Sequence, residues 1–176
     1  MMKKATYKKF AASILAAVLL AAACVSCGND GDDDKAQQTQ QGSVQTQSGS
    51  YTLDVNGTAI YPGMQMPATL GEPTSYFEAA SCAIEGLDKS YTYGSILVTT
   101  EDDGKTERIV GMTILDDGAA TREGVTIGDS KDKVLSVYGV SFRDTETSLT
   151  YVYGNVALKF LLRDGTVTSI TYSIAE

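Results

Sequence analysis

The string Tyr91-Thr92-Tyr93-Gly94 returns 60 residues later as Tyr151-Val152-Tyr153-Gly154. The same offset aligns Ile96 with Val156, Val98 with Leu158, Val110 with Ile170, Met112 with Tyr172 and Ile114 with Ile174. Apolar residues two apart mark strands that bury one face. In the second copy Val156, Leu158, Phe160 and Leu162 alternate with Ala157, Lys159, Leu161 and Arg163. Beyond Asp164-Gly165, Ile170, Tyr172 and Ile174 alternate with Ser169, Thr171 and Ser173. Asp-Gly is a tight-turn signal, so this stretch reads as a half-buried antiparallel hairpin. Asp103-Gly104 takes that place in the first copy at an offset of 61, which requires a different loop length or a bulge. Two ordinary meanders would give a similar pattern, because identity between the copies is low.

A helix candidate precedes each set of strands. The second runs from Gly128 to Gly139. Asp129 or Ser130 caps its start, Val134, Leu135 and Tyr138 form its apolar face, and Gly139 suits its end. The first, Gly63 to Gly71, contains Pro67 and should reach two turns at most. Lead-in strands are expected at Thr52–Val55 or Thr58–Tyr61, and at Val125–Ile127. The predicted fold class is therefore α+β: two tandem helix-plus-antiparallel-meander repeats, residues 51–117 and 118–176, in one compact domain.

The spacing G-x-S-x-x-x-V-x-x-x-x-G from Gly128 to Gly139, followed by antiparallel strands, resembles one repeat of the beta-lactamase-inhibitor-like fold. The outer-membrane assembly lipoproteins of the SmpA/OmlA type share it. The resemblance covers about 50 residues well and about 60 more through the first copy, and it implies fold rather than activity. Ser81 to Lys89 is also similar to a Ser-Cys-x-(aromatic or aliphatic)-x-Gly-Leu-Asp-Lys stretch in small, uncharacterised lipoproteins.

The N-terminal region carries its own signal. Lys3, Lys4, Lys8 and Lys9 precede 14 uncharged residues, which end in Ala21-Ala22-Ala23 before Cys24. An apolar run of that length suits a signal peptide and is short of the roughly 20 residues of a bilayer span. The small residues before Cys24 resemble the lipobox of bacterial lipoproteins, although Ala21 stands where that family usually has Leu. The resemblance implies cleavage after residue 23 and transfer of a diacylglycerol to the Cys24 thiol, with further acyl chains such as palmitate. Two chains make a stable anchor where one does not. Cys27 is an alternative acceptor, and a plain secretory signal is the alternative to lipidation.

From Gly28 to Ser50 the chain has one Val and no aromatic residue. Such a segment cannot bury enough apolar surface to offset its ordering entropy, so residues 24–50 read as a lipidated N-terminus and a disordered tether of about 25 Å reach. The Asp30 to Asp34 cluster lacks the spacing of a calcium loop and reads as a solvated acidic stretch. Residues 51–176 hold 9 Lys and Arg against 18 Asp and Glu, a net of −9. That balance argues against nucleic acid, because phosphate binding needs concentrated positive charge. Cys82, the domain's single cysteine, reads as a buried small residue.

The chain has no histidine. Ser-His and Cys-His nucleophile pairs and the commonest metal ligand are therefore missing. No cofactor, metal or catalytic residue is expected. Asp102-Asp103 and Asp116-Asp117 read as wet turn carboxylates, unlike an acid held in an apolar pocket. Tyr91, Tyr93, Tyr151 and Tyr153 are either sheet packing or an aromatic recognition face, since tyrosine is favoured at interfaces. The functional expectation is a non-enzymatic, lipid-anchored binding or assembly module on the extracytoplasmic side of the bacterial cell membrane, partnered by an envelope protein. A small-ligand receptor or a protein inhibitor is the alternative.

Overall fold

A computed structural model describes residues 49–141 and 143–176. The signal peptide, Cys24, Cys27 and most of the tether lie outside these residues.

The described residues form ten strands and one α-helix in chain order. Strands β1 (Leu53–Val55) and β2 (Thr58–Ile60) form a small hairpin. Its Asn56-Gly57 turn has positive φ at both residues, the geometry that matches strand twist. Strands β3 (Ser75–Ala80), β4 (Leu87–Tyr93), β5 (Ile96–Asp102) and β6 (Glu107–Ile114) form one meander. Helix α1 (Lys131–Tyr138) leads into a second meander, β7 (Arg143–Thr145), β8 (Ser148–Tyr153), β9 (Val156–Arg163) and β10 (Thr166–Ile174). The last strands of the two meanders pair antiparallel, Ile170 opposite Ile114 and Tyr172 opposite Met112. One eight-stranded sheet results, in the order β3-β4-β5-β6-β10-β9-β8-β7.

The expected α+β class with two helix-plus-meander repeats is overturned. The described residues are mostly β, with one eight-residue α-helix among them, and both meanders belong to a single sheet. The first helix fails for a visible reason. Pro67 is extended at φ −81, ψ 136, and only a 3-10 turn, Ala68–Leu70, follows it. The residues before it lie along β6 instead. Gly63 N–H bonds the Ile109 carbonyl at 2.7 Å, Met66 N–H the Glu107 carbonyl at 2.9 Å, and Ile109 N–H the Met64 carbonyl at 2.9 Å. Those groups are thereby withdrawn from any helical ladder. By contrast α1 has its cap: Ser130 Oγ accepts from Lys133 N–H at 3.2 Å, and Gly139 N–H closes on the Leu135 carbonyl at 2.9 Å. Both β1 and β2 form, whereas Val125–Ile127 contributes only a bridge through Thr126 to Ala120.

What does recur at offset 60 is hairpin register. Ile96 opposes Ile114 as Val156 opposes Ile174, and Val98 opposes Met112 as Leu158 opposes Tyr172. The match then ends. The β5–β6 loop has four residues, 103–106, and the β9–β10 turn has two, Asp164-Gly165. Thr99 pairs with Gly111 and Thr100 with Ile109, so Val110 is a bulge residue and Ile109 takes the core position. The Val110–Ile170 equivalence is corrected accordingly.

One sheet face is covered across its middle. Val98, Met112, Leu158, Phe160, Ile170 and Tyr172 are at most 1% exposed. They form one cluster with Leu53, Val55 and Ile60 of the small hairpin, with Leu70, with Val125 and with Val134 of α1. The other face is half-buried or exposed along Leu97, Thr99, Thr113, Thr150, Lys159 and Thr171. The chain enters at the β8–β9 turn, where Ser50 Oγ donates to Asn155 Oδ1 at 2.8 Å. Any Cβ on Gly154 would lie 1.9 Å from the Gly49 carbonyl oxygen, so only glycine fits there.

Candidate binding surfaces

The four tyrosines singled out by the repeat lie on the covered face. Tyr91 and Tyr151 oppose Val98 and Leu158; Tyr93 and Tyr153 oppose Ile96 and Val156. They sit on β4 and β8, with β5, β6, β10 and β9 between those strands. The sheet therefore does not bring the two pairs together. Tyr93 and Tyr151 are buried, at 8% and 3% exposure. Tyr151 donates to the Gly139 carbonyl at 3.1 Å and packs within 5.2 Å of Tyr138 and 6.0 Å of Phe160. Burial pushes its hydroxyl up to about 12. Tyr91 is half-buried between Tyr76 and Tyr93, its hydroxyl raised by burial first and by Glu107 second. Tyr153 is 41% exposed and packs edge-on against Tyr51 at 5.8 Å.

Tyr91 borders a polar cluster at the β3 side of the sheet. Lys89 Nζ reaches Asp102 at 2.6 Å and Glu107 at 3.3 Å, and Thr100 Oγ1 donates to Glu107 at 2.6 Å. The Lys89 hydrogen bond, then the Gly104 N–H, hold the Asp102 carboxyl below its ordinary range. Its side chain is only 21% exposed, so Asp102 is an ion-pair partner where the sequence suggests a wet turn. Asp103 and Asp116 do serve turns: Asp103 accepts from Thr106 and Lys105 N–H, and Asp116 from Gly118 N–H. One ammonium is shared by two carboxylates, and the contacts tie β4, β5 and β6 together at this end of the sheet. Among the described residues no group of three or more Cys, Asp or Glu is placed to hold a metal ion.

The exposed features that could engage a partner lie elsewhere. All six residues of β3 are exposed, with Tyr76 at 48% and Phe77 at 66%. β3 pairs only with β4, so its outer backbone groups form an open edge. Tyr76 Oη donates to the Glu78 carboxylate on the same strand. The strand escapes sequence reading because neither face is buried and no alternation results; its one signal is the β-forming pair Tyr76-Phe77. Cys82, expected to be buried, is an exposed free thiol in the β3–β4 loop.

The second feature is a groove of about 310 Å³ on the open face of the other half, lined in part by Arg143, Thr150, Val152, Lys159, Ile174 and Glu176. Sequence reasoning assigns Lys159 to the outer face but does not connect it with Arg143, which lies two strands away. No protein-family model, no curated protein and no solved structure matches this chain.

Proposed function

We propose that this protein is a lipid-anchored, extracytoplasmic, non-enzymatic binding module of the bacterial cell envelope that receives an extended segment of an envelope protein along the β3 edge. The observation that carries the binding half is the six-residue exposed strand with Tyr76 and Phe77 standing out of it. Strand addition takes its affinity from backbone hydrogen bonds and its specificity from side chains alternating between the two faces. Phe77 on one face, and Tyr76 backed by Tyr91 on the other, supply two such apolar contacts. The membrane half rests on the resemblance of the residues up to Cys24 to a lipobox. Among the described residues no helix is long and apolar enough to cross a membrane. In this reading the acyl chains on Cys24 supply the attachment.

The test uses a photo-crosslinking residue at Phe77 in the full chain, with the same residue at Leu115 as the exposed control. A single discrete adduct from Phe77 and none from Leu115, lost when Cys24→Ala releases the protein from membranes, is the expected result. Equal adducts from both sites would overturn the β3 assignment. Unchanged membrane attachment in both Cys24→Ala and Cys27→Ala would overturn the anchor.

A further inference from the structure

The groove on the open face raises a separate question, independent of the β3 edge. Arg143 pairs with Thr150, Thr150 with Lys159, and Lys159 with Thr171. Directly opposed residues share a sheet face, so the two cations stand in one row across β7, β8 and β9. At roughly 4.8 Å per strand their Cα atoms are about 10 Å apart, and both side chains can converge over Thr150. Both are exposed, and neither makes a hydrogen bond or ion pair among the described residues. The domain has a net charge of −9, and its Lys89, Lys131 and Lys133 are held in ion pairs.

The rest of the lining narrows the ligand. Val152, 40% exposed, opposes Ala157 on this face, and Leu161, 41% exposed, follows Lys159 on the same face of β9. Hydroxyls of Thr150 and Ser173 lie among them. Glu176 also lines the groove and opposes a second negative charge, which disfavours polyphosphates and other polyanions. Aliphatic surface beside a cation pair, with an acidic residue at the rim, matches one carboxylate with apolar neighbours. It does not match a strongly hydrated inorganic anion.

We propose that this groove binds an acidic–aliphatic polypeptide segment, its carboxylate gripped by Arg143 and Lys159 and its aliphatic side chains resting on Val152 and Ala157. Arg143 supplies the planar fork that pairs with a carboxylate through two hydrogen bonds, and Lys159 supplies a point charge.

The experiment titrates the isotope-labelled full chain with acetyl-Val-Glu-Val-amide, with its Gln counterpart, and with inorganic phosphate, following backbone amide shifts. Expected are saturable shifts centred on Thr150, Val152 and Ala157 for the Glu peptide. Affinity should fall about fivefold for the Gln peptide, for Arg143→Ala and for Lys159→Ala, and fall further in high salt. Val152→Ser should weaken the Glu peptide while leaving any phosphate binding unchanged. Equal affinity for the Glu and Gln peptides, wild-type affinity in both cation variants, or no saturable shift would overturn the proposal. Phosphate binding as tight as the peptide would also overturn it, marking a simple anion site. Should Lys159→Ala fail to melt cooperatively, Lys159→Gln makes the same test.

Discussion

The two edges of the sheet, β3 and β7, differ in nearly every property that governs edge pairing. β7 has three residues, two of them the charged Arg143 and Asp144. Asp144 is also tied to α1 through Lys131 at 2.7 Å. Short length and charge are the usual protections against a strand adding on. β3 has six residues, two exposed aromatics and one charge, Glu78, already engaged by Tyr76. One edge is guarded and the other is not. The contrast divides the sheet, since the β7–β10 half carries much of the aromatic core and β3 is exposed along its whole length.

The largest effect that would test this division comes from the core. Phe160 is fully buried against Tyr138 and Tyr151, and Phe160→Ala should cost about 3–5 kcal/mol in chemical denaturation. Phe77→Ala, on the open edge, should cost less than about 0.5 kcal/mol. A loss above about 1 kcal/mol at Phe77 would break the comparison by showing a packed edge.

An intermediate effect concerns pH. Burial raises the hydroxyls of Tyr138, Tyr151 and Tyr172, with Tyr151 reaching about 12. Their folded-state values exceed the unfolded value near 10, so their contribution is fully present below about pH 10 and is lost as pH rises through the folded values. Alkaline titration should show a late, cooperative rise in tyrosinate absorbance that coincides with loss of the sheet's circular dichroism. A smooth titration of all tyrosines near pH 10 with the sheet intact would contradict the buried cluster.

The smallest effect is one hydroxyl. Tyr172 is 0% exposed, and its Oη has no hydrogen-bond partner among the described residues. Removing an unpaired buried hydroxyl relieves a desolvation cost, so Tyr172→Phe should be neutral or stabilising by about 1 kcal/mol. A clear destabilisation would mean that the hydroxyl is satisfied in solution.

Much of the β8–β10 region is legible in the chain because its signals are local. Val156, Leu158, Phe160 and Leu162 alternate in the sequence and are all buried. Asp164-Gly165 turns with φ 52 and 73 where a tight turn is expected. Ser130 and Gly139 bound α1 as cap residues should. The misread parts depend on distant neighbours. Met64 and Met66 suggest a short helix, but the free start of β6 binds their backbone. The Tyr91–Tyr93 and Tyr151–Tyr153 pairs look like one face, but joining β6 to β10 sends β4 and β8 to opposite flanks. Neither the β3 edge nor the Arg143–Lys159 row has a local pattern, because no buried face imposes alternation on β3 and two intervening hydrogen-bonded ladders bring Arg143 level with Lys159.

Strand alternation, turn residues, helix caps and the acidic balance are properties of neighbouring residues or of their sum, and they can be read before any fold is known. Edge or centre, cavity or flat face, and buried or exposed tyrosine are different. They follow from which meander strands pair across the middle of the sheet, a choice made by matching apolar faces more than 50 residues apart, Ile114 with Ile170 and Met112 with Tyr172. That pairing left β3 at an open edge, while the β7–β8 and β8–β9 ladders aligned Arg143 with Lys159 on the other face of the sheet.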